Sequence, residues 1–266
     1  MPRFVTEGIP GMNYTGLKES GASGVIFPVR GFSSGSFVYY PEEILKDESE
    51  KARETGLSVY WRMTRLFAEE EIDRVRSFLE EYAVTPDGIY YTDPCVYVFL
   101  KENGQARKGI FAEDTLTTNA RDIQRYLDLG IARCLISPEC TKEEVLSIAE
   151  KVKNTEILVY GPLSLAKSRR PFLTSYGVQS PFTAADPTGK YAIRVTEEEC
   201  GTTVFEKDCL DASEYLPAFS RVTEYFQVRG FTKDEKELLE VLRKLNGAVK
   251  GDIPAEKRNG GFYAGS

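Results

Sequence analysis

Short β-rich runs alternate with longer amphipathic stretches along the chain. The runs are RFVTEGI at 3–9, GVIFPV at 24–29, LSVYWRM at 57–63 and GIYYTD at 88–93. KGIFAE at 108–113, ARCLISPE at 132–139, EILVYGPL at 156–163 and EYFQVRGF at 224–231 complete the series. Most are apolar through their middle without alternation, the pattern of strands covered on both faces in a parallel sheet. The stretches between them carry helical spacing. In AEEEIDRVRSFLEEY, Ile72, Val75, Phe78 and Leu79 share a face and acidic residues crowd the first turn. NARDIQRYLDLG places Ile123, Tyr126 and Leu127 alike and stops at Gly130. TKEEVLSIAEKV opens on Thr141, with Glu144 at capping-box spacing. TKDEKELLEVLRKLNG repeats that opening and predicts an end at Asn246-Gly247. Eight strands alternating with helices predict an α/β fold, a TIM-barrel-like (β/α)₈ barrel. An open doubly wound sheet is the alternative, and the strand count favours the barrel.

Two regions break the rhythm. Residues 31–56 hold a long loop, GFSSGSFVYYPEE, followed by a charged helix. Residues 164–223 form a longer insertion between strands seven and eight, in which KYAIRVTEEECGTTVFEKD reads as a β-hairpin. Gly161-Pro162 is expected to break strand seven, and GASG at 21–24 reads as the turn into strand two. Insertions after barrel strands build the C-terminal face, where barrel active sites lie. The expectation is a single barrel unit over 1–266.

Composition narrows the chemistry. Lys and Arg number 34 against 41 Asp and Glu, a net charge of −7 mixed along the chain, which argues against general nucleic-acid binding. No run reaches the roughly 18 apolar residues of a membrane span, and MPRFVTEGIPGMNY lacks a signal-peptide core, so a cytoplasmic location is expected. The five cysteines (Cys95, Cys134, Cys140, Cys200 and Cys209) contain no CxxC pair and are expected as free thiols. The chain has no histidine, which excludes Ser-His-Asp and Cys-His catalysis and imidazole zinc sites.

Polar residues collect where the runs end: Glu7, Arg30, Arg62, Asp93, Glu113, Glu139, Tyr160 and Arg229. Asp114, Thr117 and Asn119 follow run five, and Lys167, Arg169 and Arg170 follow run seven. Charges are costly to bury unless paired, so strand ends of both signs meeting at one mouth imply a polar pocket. The plainer reading is a salt-bridge network closing the barrel top. The pocket reading makes Glu7, Arg62, Asp93, Glu113, Asn119, Glu139, Tyr160, Lys167, Arg170 and Arg229 ligand-binding candidates. Carboxylates such as Glu113 and Glu139 can do acid–base work, and Arg170 with Lys167 and Arg229 can grip an anionic group. The residues identify no catalytic nucleophile.

The ordered motifs resemble the collagenase-like peptidase family U32 from about residue 3 to residue 231. KESGASGVIF is similar to the family's turn into strand two, YYTDPCVYVFL to its Asp-Pro strand end, and TLTTNARDI, with Asn119, to its helix opening after strand five. CLISPECTKEEVLSI matches a family stretch at Glu139. Tyr160-Gly161-Pro162-Leu163-Ser164 and Ser168-Arg169-Arg170-Pro171 lie where the family has two cysteines, replaced here by Ser164 and Pro171. KDCL keeps a thiol at Cys209, while QVRGF puts Arg229 and Phe231 where the family has Glu and Arg. The resemblance implies a hydrolase acting on a peptide or another polar or anionic ligand. It implies alternatively a non-proteolytic accessory protein, related to the family's RNA and quinone hydroxylation factors, that has lost their four-cysteine iron–sulfur cluster. With two ligand positions replaced, no cofactor is expected.

Overall fold

The computed structural model describes residues 1–188 and 191–250. Its first half runs β1 (Arg3–Glu7), α1 (Tyr14–Glu19), β2 (Ala22–Pro28), α2 (Glu42–Glu54), β3 (Ser58–Met63), α3 (Ile72–Tyr82), β4 (Gly88–Tyr91) and α4 (Pro94–Glu102). Then follow β5 (Gly109–Phe111), α5 (Ala120–Asp128), β6 (Arg133–Leu135), α6 (Lys142–Lys151) and β7 (Thr155–Ser168). The insertion adds α7 (Phe172–Ser175), β8 (Phe182–Ala185), β9 (Ala192–Glu198), β10 (Gly201–Asp211) and α8 (Leu216–Phe219), before β11 (Tyr225–Val228) and α9 (Glu235–Lys250). The strands β1 to β7 pair in parallel in chain order, and β11 closes the ring by pairing with both β7 and β1. This is the eight-stranded parallel barrel that the periodicity predicts.

The helical spacing buries the expected faces. Val75, Phe78 and Leu79 of α3 are at most 5 % exposed, and each such side chain contributes about 1.5–3 kcal/mol by leaving water. Thr141 and Glu144 form the capping box of α6. One end differs: α9 runs through Asn246-Gly247 to Lys250. Asn246 Nδ2 donates to Ser20 O (3.2 Å) and to Leu242 O in its own helix (2.9 Å), so the helix docks on the α1–β2 turn instead of stopping.

Strand seven also differs from expectation. Gly161-Pro162 bends β7 rather than ending it. Gly161 sits at φ +123, where a Cβ would lie 2.7 Å from Arg229 O. Beyond the bend, β7 pairs antiparallel with β10 as far as Ser168–Thr202, and β10, β9 and β8 continue the sheet outside the ring. The hairpin of β9 and β10 is the one read from the sequence, apart from its first residue, Lys190, which lies outside the described residues, as does 251–266 of the expected unit.

A buried polar cluster joins β4, β6 and β7. Glu156 on β7 is fully buried and accepts from Tyr90 OH (2.7 Å) and Arg133 Nε (2.9 Å). The Arg133 guanidinium lies 4.1 Å from the Tyr225 ring centroid and 5.0 Å from that of Tyr60. A buried charge needs a paired, hydrogen-bonded partner, and this cluster supplies one. Among the described residues no helix is long and apolar enough to cross a membrane.

Candidate functional site

Two buried ion pairs stand at the C-terminal mouth. Glu7 ends β1 and Arg62 lies near the end of β3, and the Arg62 Nη1 donates to Glu7 Oε1 while its Nε donates to Thr64 Oγ1 at 2.9 Å. The second pair joins the loop after β5 to the end of β11. Arg229 grips Asp114 by a two-pronged contact, Nη2 to Oδ1 at 2.7 Å and Nη1 to Oδ2 at 3.1 Å, and Nη1 also reaches Pro162 O at 3.3 Å. Asp114 and Arg229 are each 2 % exposed. Burial works against the Asp114 carboxylate, but the charges of Arg229 and Lys167 outweigh it and hold its pKa at about 2.

Lys167 comes from the bent extension of β7. Its side chain is 14 % exposed and its Nζ is 3.8 Å from Asp114 Oδ2. That buried ammonium has no hydrogen-bond partner. Burial pushes Lys167 below the ordinary lysine range, against the pull of Asp114 and Glu113. The bend at Gly161 thus carries β7 back over the mouth, where Ser164 to Lys167 face the ends of β4 and β5 across an open cleft of about 480 Å³. Glu113 and Thr92 add polar groups to this cleft, and Phe111, Leu116 and Tyr126 add an apolar wall.

A second cavity of about 260 Å³ opens on the other side of the mouth, lined by Arg30, Tyr39 and Glu198 among others. Burial raises the Glu198 carboxyl, against hydrogen bonds from Tyr39 and the Gly35 backbone. Here the long β2–α2 loop meets the hairpin: the Arg194 guanidinium lies 4.4 Å from the Phe37 ring centroid and 5.0 Å from that of Phe205.

The ten residues singled out in the sequence therefore divide. Glu7, Arg62, Glu113, Lys167 and Arg229 gather around Asp114, close enough to act on the titration of Asp114 or Lys167, or to pair with a residue that does. Asp93 and Asn119 cap helices instead. Asp93 accepts from Cys95 N and Phe67 N, both at 3.0 Å, and Asn119 accepts from Arg121 N and Asp122 N at 3.1 and 3.0 Å. Tyr160 is half-buried, its ring edge-on to Phe231 at 4.9 Å. Glu139 and Arg170 are exposed. The Arg170 carbonyl accepts from Thr202 Oγ1 at 2.7 Å, so its backbone anchors the insertion, while Asp114 holds the buried guanidinium of Arg229.

Sequence reasoning named Asp114 only as a loop residue, although the next chain position after a strand-end glutamate was the available signal. It missed the apolar wall, because Phe111 and Tyr126 read as ordinary core positions. The thiols do not assemble. Among the described residues no three His, Cys, Asp or Glu side chains form a metal-binding group, and the two positions matched to family cysteines hold a serine and a proline. At those two positions the chain offers a four-thiolate cluster a hydroxyl and a proline ring in place of thiolates.

Comparison with known proteins agrees with this architecture. The solved structure of the U32 peptidase Mk0906 superposes with a TM-score of 0.54 at 17% identity, covering 86% of this chain and 94% of that one. A chitinase from Chromobacterium violaceum (TM-score 0.46, 10% identity, 92% and 99% covered) and the spore cortex-lytic enzyme SleL of Bacillus cereus (0.43, 12%, 92% and 74%) are more distant. No curated protein matches the sequence. The family model for peptidase family U32 matches residues 16–260, and the chain belongs to that family.

Proposed function

We propose that this protein hydrolyses peptides in the cleft between the β7 extension and the ends of β4 and β5. The observation that carries the reading is the cleft itself: in a U32 chain, it lies at the barrel's C-terminal mouth and joins a charged wall to an apolar one. Without histidine, the proton of an attacking water needs another acceptor. Asp114 is locked between two cations, whereas the Glu113 carboxylate lines the cleft and accepts only from Thr115 Oγ1, at 3.4 Å, among the described residues. Glu113 is the general base in this reading: it takes the water's proton, the water oxygen adds to the scissile carbonyl, and as the C–N bond breaks Glu113 returns that proton to the leaving amine. Asp114–Arg229 and Glu7–Arg62 hold the mouth in shape.

A second reading, an accessory protein that binds without turnover, is favoured by the same two pairs, since neutralised charges are poor acids and bases. Incubation with a mixed peptide library and mass spectrometry of new termini separates the two. Hydrolysis predicts new termini that disappear with Glu113→Gln. Peptides that bind but stay intact with the wild type support the accessory reading, and unchanged cleavage by Glu113→Gln removes Glu113 from its role.

A further inference from the structure

The cleft has two unlike walls. On the charged one, the Lys167 ammonium offers three N–H donors, none of which has a hydrogen-bond partner. Its nearest anion, Asp114, is 3.8 Å away and already carries two bonds from Arg229. An unsatisfied buried ammonium is costly, and an incoming anion completes it. Lys167 lines the cleft, and rotation about its four flexible carbons brings the buried ammonium to a ligand.

On the apolar wall, Phe111 and Tyr126 stack with centroids 4.0 Å apart. Leu66 and Leu116 stand at the rim, 42% and 55% exposed. One anion-seeking group and one apolar surface line a space of about 480 Å³, enough for a residue or two of a ligand.

Peptides offer three things to such a site. An amino terminus brings only further donors to the Lys167 ammonium, which lacks an acceptor. An internal segment brings carbonyl dipoles, and an anion only where its side chain is acidic, which leaves that residue nothing for the apolar wall. A carboxyl terminus brings an anion with a side chain beside it.

We propose that the cleft recognises the C-terminal residue of a peptide, with the free carboxylate on Lys167 and an aromatic or long aliphatic side chain against Phe111, Tyr126 and Leu116. The inference rests on the peptide reading above and narrows it to substrates engaged from their carboxyl end. Burial favours the uncharged amine of Lys167, with Arg62 and Arg229 adding to that and Asp114 and Glu113 opposing it. An arriving carboxylate favours the ammonium, so alkaline pH weakens binding and binding there takes up a proton.

The test is isothermal titration with two N-acetylated tetrapeptides ending in phenylalanine, one with a free carboxylate and one with a carboxamide. The free acid is expected to bind roughly tenfold to a hundredfold more tightly, the scale of a hydrogen bond to a charged group. Lys167→Met should erase that difference, with a thermal melt confirming that it folds. Leu116→Ser, on an exposed position, should weaken the phenylalanine peptide but not an alanine-ended one. Equal binding of acid and amide overturns the carboxylate anchor while leaving the peptide reading standing. Binding of neither peptide overturns both.

Discussion

Replacing Asp114 by Asn removes the anion from a cluster that keeps both of its cations. Arg229 is 2% exposed and loses its two-pronged carboxylate, and Lys167, 3.8 Å from Asp114, loses its nearest anion. Removing one partner of a buried pair costs about 3–5 kcal/mol, a large part of the roughly 5–15 kcal/mol that holds a typical domain folded. Arg229→Met is expected to cost less, because Lys167 stays to face Asp114. The double variant should recover part of the loss, with a coupling of about 1–3 kcal/mol. Acid supplies an independent handle. The folded carboxyl sits at about 2 against an ordinary 3.8, so the unfolded chain binds the proton first. That stability is complete above 3.8 and is lost as pH falls through about 2, a change of about 2 kcal/mol at about 1.4 kcal/mol per unit. Urea unfolding of the wild type, both single variants and the double variant, at pH 7 and along an acid series, measures every quantity. Additivity of the two substitutions within 0.5 kcal/mol, or an Arg229→Met cost above that of Asp114→Asn, would refute the reasoning.

Other outcomes follow from the same geometry. Gly161→Ala should destabilise the fold by at least about 1–3 kcal/mol, since φ +123 is strained for alanine and the new Cβ meets Arg229 O at 2.7 Å; a neutral effect in urea unfolding would mean that the bend is not fixed. Lys167→Met should remove an alkaline gain in stability. With its folded pKa lowered, wild-type Lys167 releases its proton before the unfolded chain does, so wild-type stability rises relative to the variant as pH climbs from that lowered value towards 10.5. Parallel melting curves across that window would contradict it. Anaerobically purified protein should carry no stoichiometric iron and sulfide, because Ser164 and Pro171 offer no thiolate; metal and sulfide analysis checks this, and a visible charge-transfer band with matching iron would overturn it.

The barrel was legible because its strands are short, apolar in the middle and regularly spaced, so periodicity alone carries the count. The course of β7 was not. A Gly-Pro pair reads as a stop, and only the antiparallel partner β10, some forty residues further along, lets the strand continue past the bend. Half of the candidate cluster around Asp114 was legible for the related reason that charges at strand ends share one mouth. Asp93 and Asn119 share that position too, but their short side chains bond the backbone of the next helix, a local competition that spacing does not reveal. Glu156 and Arg133 went unread because a charge at the start of an apolar run looks like a strand boundary, whereas here it points into the lumen. The apolar wall depends on which faces of β5 and α5 stay open, and that is set by the insertion.

In the peptidase reading, peptides are engaged in the cleft under the β7 extension. A crystal structure of the Glu113→Gln variant with the free-acid tetrapeptide tests it most directly. Peptide density is expected in that cleft, with the terminal carboxylate at Lys167 and the phenylalanine ring against Phe111 and Tyr126. Peptide bound in the cavity beside Tyr39 and Glu198, or at the opposite end of the barrel, would contradict it.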